Sequence, residues 1–177
     1  IVASELYRAA IDQSGLTDKR MLGNAVAKAA KRHGLKVQQV VYYLPLDNVH
    51  AFIKDFKRSS MQDAVCLEHT LTLVDTDMGT MQARANAWAV GDVNALRKLP
   101  LVDLDVCSLQ RTAPELLRKY HWTNVDADVK TLWLKTAEAA LVNNKVSFAT
   151  LPISNLLKPD GYLAALQARG CQVDQPE

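Results

Sequence analysis

The sequence predicts a helix-rich α+β fold, in which a few-stranded sheet is flanked by a long helical insert over about 45–143. Three observations predict it. Helical periodicity recurs through most of the 177 residues, short β-branched and aromatic runs stand on either side of the helical block, and turn residues punctuate both. Two or three short strands seldom make a stable sheet alone. The sheet is therefore expected to be completed by an upstream segment or by a second chain along its open edge. With 49% hydrophobic and 23% charged residues, 7 Gly and 6 Pro, the composition is that of one compact globular domain over 1–177.

Taken in order, Ser4 is placed to cap a helix reaching about Gln13, and Gly15 breaks it. Thr17 starts a second helix with an apolar line of Leu22, Ala25, Val26 and Ala29. Gly34 closes that helix as a left-handed cap. Leu35 to Leu44, rich in Val and Tyr and stopped by Pro45, reads as the best strand of the chain.

The insert carries helical patterns at Val49, Phe52, Ile53 and Phe56, at Met61, Val65 and Leu67 to Leu71, and at Met81, Ala85, Trp88 and Ala89. Asp92 to Leu99 and Pro114 to Tyr120 read as short helices. Asp126 or Asp128 opens a longer one with Leu132, Trp133, Ala137, Ala140 and Leu141 on its buried side. Val146 to Leu151 reads as a strand ended by Pro152, Tyr162 to Ala168 as a helix closed by Gly170, and Cys171 to Val173 as a final strand.

The charge balance narrows the function classes. The net charge is +2, and the 21 basic residues are spread along the chain, so the footprint of a nucleic-acid binder is missing. The local excess at Lys19, Arg20, Lys28, Lys31, Arg32 and His33 fits a solvated helix face. No run approaches the ~20 apolar residues of a membrane span. Ile1 in place of a start Met is read as the removal of something upstream, whether a tag, a signal peptide or a whole preceding segment.

Familiar catalytic and cofactor patterns are absent from the sequence. GxGxxG, GxxxxGK[ST] and GxSxG do not occur, which leaves phosphate cradles and nucleophile elbows without their glycines. His33, His50, His69 and His121 form neither HxH nor HExxH and read as structural. Asp75 and Asp77 begin like a calcium loop, but Gly79 falls one place early and Asn86 holds the twelfth position. They are expected to cap the next helix. No metal or cofactor is expected. Trp88, Trp122 and Trp133 read as core residues. Cys66, Cys107 and Cys171 form no CxxC. In an exported protein Cys66 with Cys107 is the preferred disulfide, since both sit in the helical middle; three buried thiols are the alternative.

The last segment, from Ser147 through Leu151-Pro152-Ile153-Ser154-Asn155 and Asp160-Gly161-Tyr162 to Val173, resembles the C-terminal signature of the TraB/GumN family. In that family a strand leads to GxxHL, a loop with a DG turn, a helix and a final strand. Trp88 to Leu96 is similar to the family's W-x-x-G-D-x-x-x-L helix, the helix around Trp133 to its RN-x-x-W segment, and Gly34 to Leu44 to the strand preceding its insert. The resemblance implies the C-terminal part of a Tiki-like fold. It also implies kinship with metal-dependent peptidases and, more remotely, erythromycin-esterase-like hydrolases.

The match departs from the family where chemistry would lie. Pro152 stands at the motif Gly, Asn155 at its His, Val129 or Lys130 at an Arg, and Val37 to Leu44 contains no acid where a Glu is usual. Asn is no proton shuttle and a poor metal ligand. The resemblance therefore implies a catalytically degenerate binding or accessory protein, periplasmic or secreted, with Pro152, Ser154 and Asn155 as a candidate ligand site for an unidentified ligand or protein partner. One alternative is a metal-dependent, peptidase-like hydrolase whose essential groups lie in an N-terminal half on a separate segment. The other is a homodimeric interaction module.

Overall fold

A computed structural model describes residues 2–17, 21–59, 63–100, 107–108 and 113–174, leaving the expected helical positions Met61, Lys19 and Arg20 outside the described residues. Among the described residues the α-helices are α1 (Val2–Gln13), α2 (Met21–Arg32), α3 (Val49–Arg58), α4 (Asp63–Thr76), α5 (Met78–Val90), α6 (Val93–Lys98), α7 (Pro114–Lys119), α8 (Val125–Asn143), α9 (Ile153–Leu157) and α10 (Tyr162–Ala168).

The helix boundaries follow from capping chemistry. The Asn48 side chain accepts the Ala51 N–H at 2.9 Å to start α3, the Asp92 carboxylate accepts the Ala95 N–H at 2.8 Å to start α6, and Pro114 opens α7 where no N–H is needed. Ser4 lies inside α1 and is not its cap. Asp77 holds the N-cap position of α5, yet its side chain makes no capping bond.

Five helix ends close in the same way. At Gly15, Gly34, Gly91 and Gly170 the residue beyond the helix takes positive φ, and the next N–H returns to the helix, as Asp92 N to Ala87 O at 2.9 Å and Cys171 N to Leu166 O at 3.1 Å. At the end of α7 the left-handed position is His121, with φ of 58°, and Trp122 N donates to Leu117 O at 2.9 Å. A side chain carries a Cβ penalty there that glycine does not.

The expected sheet is absent among the described residues. Leu35 to Leu44, Val146 to Leu151 and Cys171 to Val173 carry no strand pairing. No main-chain group of residues 36–44 or 145–151 takes part in a backbone–backbone hydrogen bond among the described residues. The physical reason is that strand propensity describes a fit to a neighbour, and the β-branched and aromatic residues here meet no partner strand. Most of their side chains face solvent, with Tyr43 82% and Val146 86% exposed, while Val40 and Tyr42 are half-buried and Tyr42 Oη donates to Asp128 at 2.9 Å.

The chain gathers into two compact units. In the first, residues 1–18, 44–123 and 176–177, α1 packs along α4, α4 against α5, and α5 against α6. Its buried residues are Ile11, Met81, Ala87, Leu96, Ala113, Leu116, Leu117 and Trp122, with Thr70 donating to Cys66 O at 2.8 Å. The sulfurs of Cys66 and Cys107 are bonded at 2.08 Å across 41 residues of sequence. In the chain-entropy account a loop of that length stabilises by roughly 4 kcal/mol.

In the second unit, residues 19–43 and 124–175, α10 packs on α8 and α9. Leu134 and Tyr162 are buried, and the Trp133 and Tyr162 rings meet edge to face at 5.0 Å. Leu134, not Leu141, is thus the buried anchor of α8, and Leu141 is exposed. Of the three tryptophans, Trp122 is buried and Trp133 partly so, whereas Trp88, near the C-terminal end of α5, is exposed. In α2, Lys28, Lys31 and Arg32 are exposed, as is His33 just beyond the helix.

The left-handed caps yield a directional test. His121→Gly should stabilise the protein by about 1 kcal/mol and Gly91→Ala should destabilise it by about 1 kcal/mol in urea unfolding. Equal destabilisation by both would contradict the assigned conformation of His121.

Candidate functional site

The three residues singled out at the C-terminal motif lie together around α9. Pro152 holds its N-cap position with extended ψ, and Pro152 O accepts from Asn155 N at 3.0 Å and from Leu156 N at 3.3 Å. Sequence reading extended the preceding strand to this point and did not anticipate the helix. Ser154 and Asn155 are half-buried, and neither side chain hydrogen-bonds within the described residues. A hydroxyl and an amide together offer donors and acceptors without titrating near neutral pH.

The Asp160-Gly161 turn folds back onto this helix. Gly161 N donates to Lys158 O at 2.8 Å, and Lys130 Nζ donates to Asp160 O from α8. A Cβ on Gly161 would stand 2.5 Å from Asn155 O, 2.8 Å from Lys158 O and 3.1 Å from Leu156 O. Only a residue without a side chain permits that approach, so glycine fixes the turn that holds Asn155. Tyr162 follows, buried, its hydroxyl pKa raised first by burial and then by the Asp126 charge.

A second polar cluster, in the first unit, escaped sequence reading. One oxygen of Asp55 on α3 accepts from Tyr120 Oη at 2.7 Å and receives Lys119 Nζ at 2.7 Å. Lys119 first, then Tyr120, holds the Asp55 carboxyl below the ordinary carboxylate range. Burial, together with the hydrogen bond to Asp55, pushes the Tyr120 hydroxyl up to about 12. Phe52, Tyr120 and Trp122 stack around the pair with centroids 5.1 to 5.3 Å apart, and Trp122 Nε1 donates to Pro45 O at 3.0 Å. The Phe52-x-x-x-Phe56 spacing was the available signal, but periodicity cannot pair Asp55 with a tyrosine 65 positions away.

The remaining candidates do not converge. His33, His50 and His121 are exposed, and His69 is half-buried on α4. Asp75 is exposed on α4, while one oxygen of Asp77 is buried without a hydrogen-bond partner among the described residues. No group of three His, Cys, Asp or Glu side chains is arranged to hold a metal among the described residues. No helix among them is long and apolar enough to cross a membrane.

Comparison with known families completes the picture. A model described as the TraB/PrgY/gumN family matches residues 1–175. The chain belongs to this family. Comparison with curated proteins and with solved structures finds no match. Asn155, for which the sequence resemblance expects a histidine, lies on α9.

Two outcomes check the geometry. Gly161→Ala should cost roughly 1–3 kcal/mol in urea unfolding, because its Cβ meets backbone oxygen; a neutral substitution would refute the close turn. For the Asp55–Tyr120 pair, the lowered carboxylate contributes stability above its unfolded pKa, lost as pH falls through the lower folded value. The raised tyrosine contributes below pH of about 10, and this is lost as pH rises towards about 12. The stability advantage of the wild type over Tyr120→Phe should therefore shrink above pH of about 10, and a constant difference would argue against the hydrogen bond.

Proposed function

We propose that this TraB/PrgY/gumN-family protein is a catalytically degenerate binding or accessory protein of the periplasm or the extracellular space. The observation that carries the reading is Asn155. It occupies the position where the resemblance expects a histidine, and an amide neither relays protons at neutral pH nor binds a divalent metal well. Half-buried beside Ser154 and held by the Gly161 turn, it is suited to hydrogen-bond a ligand. The Cys66–Cys107 bridge favours an oxidising compartment, since disulfides persist there and are rare in the cytosol.

Activity and thiol content test the two halves of this reading. The full chain, incubated with zinc or manganese and a fluorogenic peptide mixture, should show no metal-dependent turnover above that of Asn155→Ala. Metal-dependent hydrolysis lost in Asn155→Ala would replace the binding reading with a hydrolase. Denatured without reductant, the protein from its native compartment should react at Cys171 alone; reaction at all three cysteines would contradict export.

A further inference from the structure

Helix α3 separates apolar from charged residues sharply, yet none of its residues is buried. Its apolar residues are Val49, Phe52, Ile53 and Phe56, and they divide into two sets. Phe52 turns to Tyr120 and Trp122 in the aromatic cluster. Val49, Ile53 and Phe56 remain 54%, 45% and 36% exposed. Their spacing, i, i+4 and i+7, places them within about 60° of the helix circumference.

That width decides between occupants. A helix lying in a lipid interface presents a broad apolar face, and here the border at Phe52 is already taken by the protein itself. A narrow stripe at four- and three-residue spacing is instead the seam of a helix–helix contact. The flank opposite Phe52 carries Lys57 and His50, with Lys54 and Arg58 beyond them. The one acid on α3, Asp55, is engaged by Lys119 and Tyr120. Arg58 acts on the Asp55 charge, but Lys54 and Lys57 form no ion pair among the described residues, so the seam is apolar with a basic rim, and a second copy of α3 would bring like charge to it.

We propose that the exposed face of α3, Val49, Ile53 and Phe56 with Lys57 and Lys54 beside them, docks an acidic amphipathic helix of a partner protein. Apolar knobs would fill the seam, and acidic side chains would meet the lysines, giving the contact its register and charge preference. This surface is independent of the Asn155 site, so either proposal stands without the other.

The test uses the full chain and two labelled synthetic helical peptides with the same leucine seam, one flanked by glutamates and the other by lysines. Fluorescence anisotropy should show saturable binding of the glutamate peptide, weakened by about tenfold or more in Ile53→Ser. Lys54→Glu with Lys57→Glu should lose the glutamate peptide and gain the lysine peptide. In the wild type, amide chemical-shift changes should cluster on Val49–Arg58, which keeps the test independent of variant folding. Failure to bind the glutamate peptide, equal affinity for both peptides, or unchanged binding by Ile53→Ser would overturn the proposal. So would sedimentation of the protein with phosphatidylcholine–phosphatidylserine vesicles in preference to the peptide.

Discussion

Main-chain hydrogen bonding governs this structure. Every peptide group must find a partner or remain in water, and a helix supplies the partner from four residues away, whereas a strand must borrow one from elsewhere in space. The helices close their own ladders and recover their last carbonyls through the left-handed turns at Gly15, Gly34, Gly91, His121 and Gly170. Residues 36–44 and 145–151 have no such internal remedy, and their backbone makes no backbone–backbone hydrogen bond among the described residues. Exposure of Tyr43 and Val146 follows, because side chains of an unpaired segment have no sheet face to cover.

The same contrast explains what the sequence discloses. Helix α8, the short helices after Asp92 and at Pro114, and the stops at Gly34 and Gly170 are local events, readable from caps, breakers and a 3.6-residue period. Failures came where the outcome depends on distant residues. The Leu35 to Leu44 run has real β propensity, but propensity does not say whether a neighbour exists. The spacing of Trp88 predicts a core position, and i to i+7 does place it on the Met81 side of α5, yet Met81 and Ala87 are buried while Trp88, at the C-terminal end of the helix, is exposed. At α9, Pro152 is compatible with ending a strand and with preceding a helix, and local chemistry does not choose between them.

The candidate residues at the C-terminal motif were legible as neighbours in sequence, and their local geometry was not. The resemblance singles out Pro152, Ser154 and Asn155; Pro152 is the N-cap of α9, Ser154 and Asn155 lie within that helix, and the Gly161 turn packs against Asn155 O. What the sequence could not disclose is the tightness of that turn, which depends on carbonyl positions. The Asp55–Lys119–Tyr120 clasp was hidden for a related reason, since it joins α3 to the end of α7 through side chains far apart in the chain.

Native-state hydrogen exchange on the full chain reads the governing constraint directly. The account predicts strong protection at Leu134 in α8 and Leu96 in α6, with residues 37–43 and 147–150 exchanging close to the rate of an unstructured peptide. Protection of those extended segments to the level of α8 would mean that their backbone groups are paired, and would contradict the fold described above.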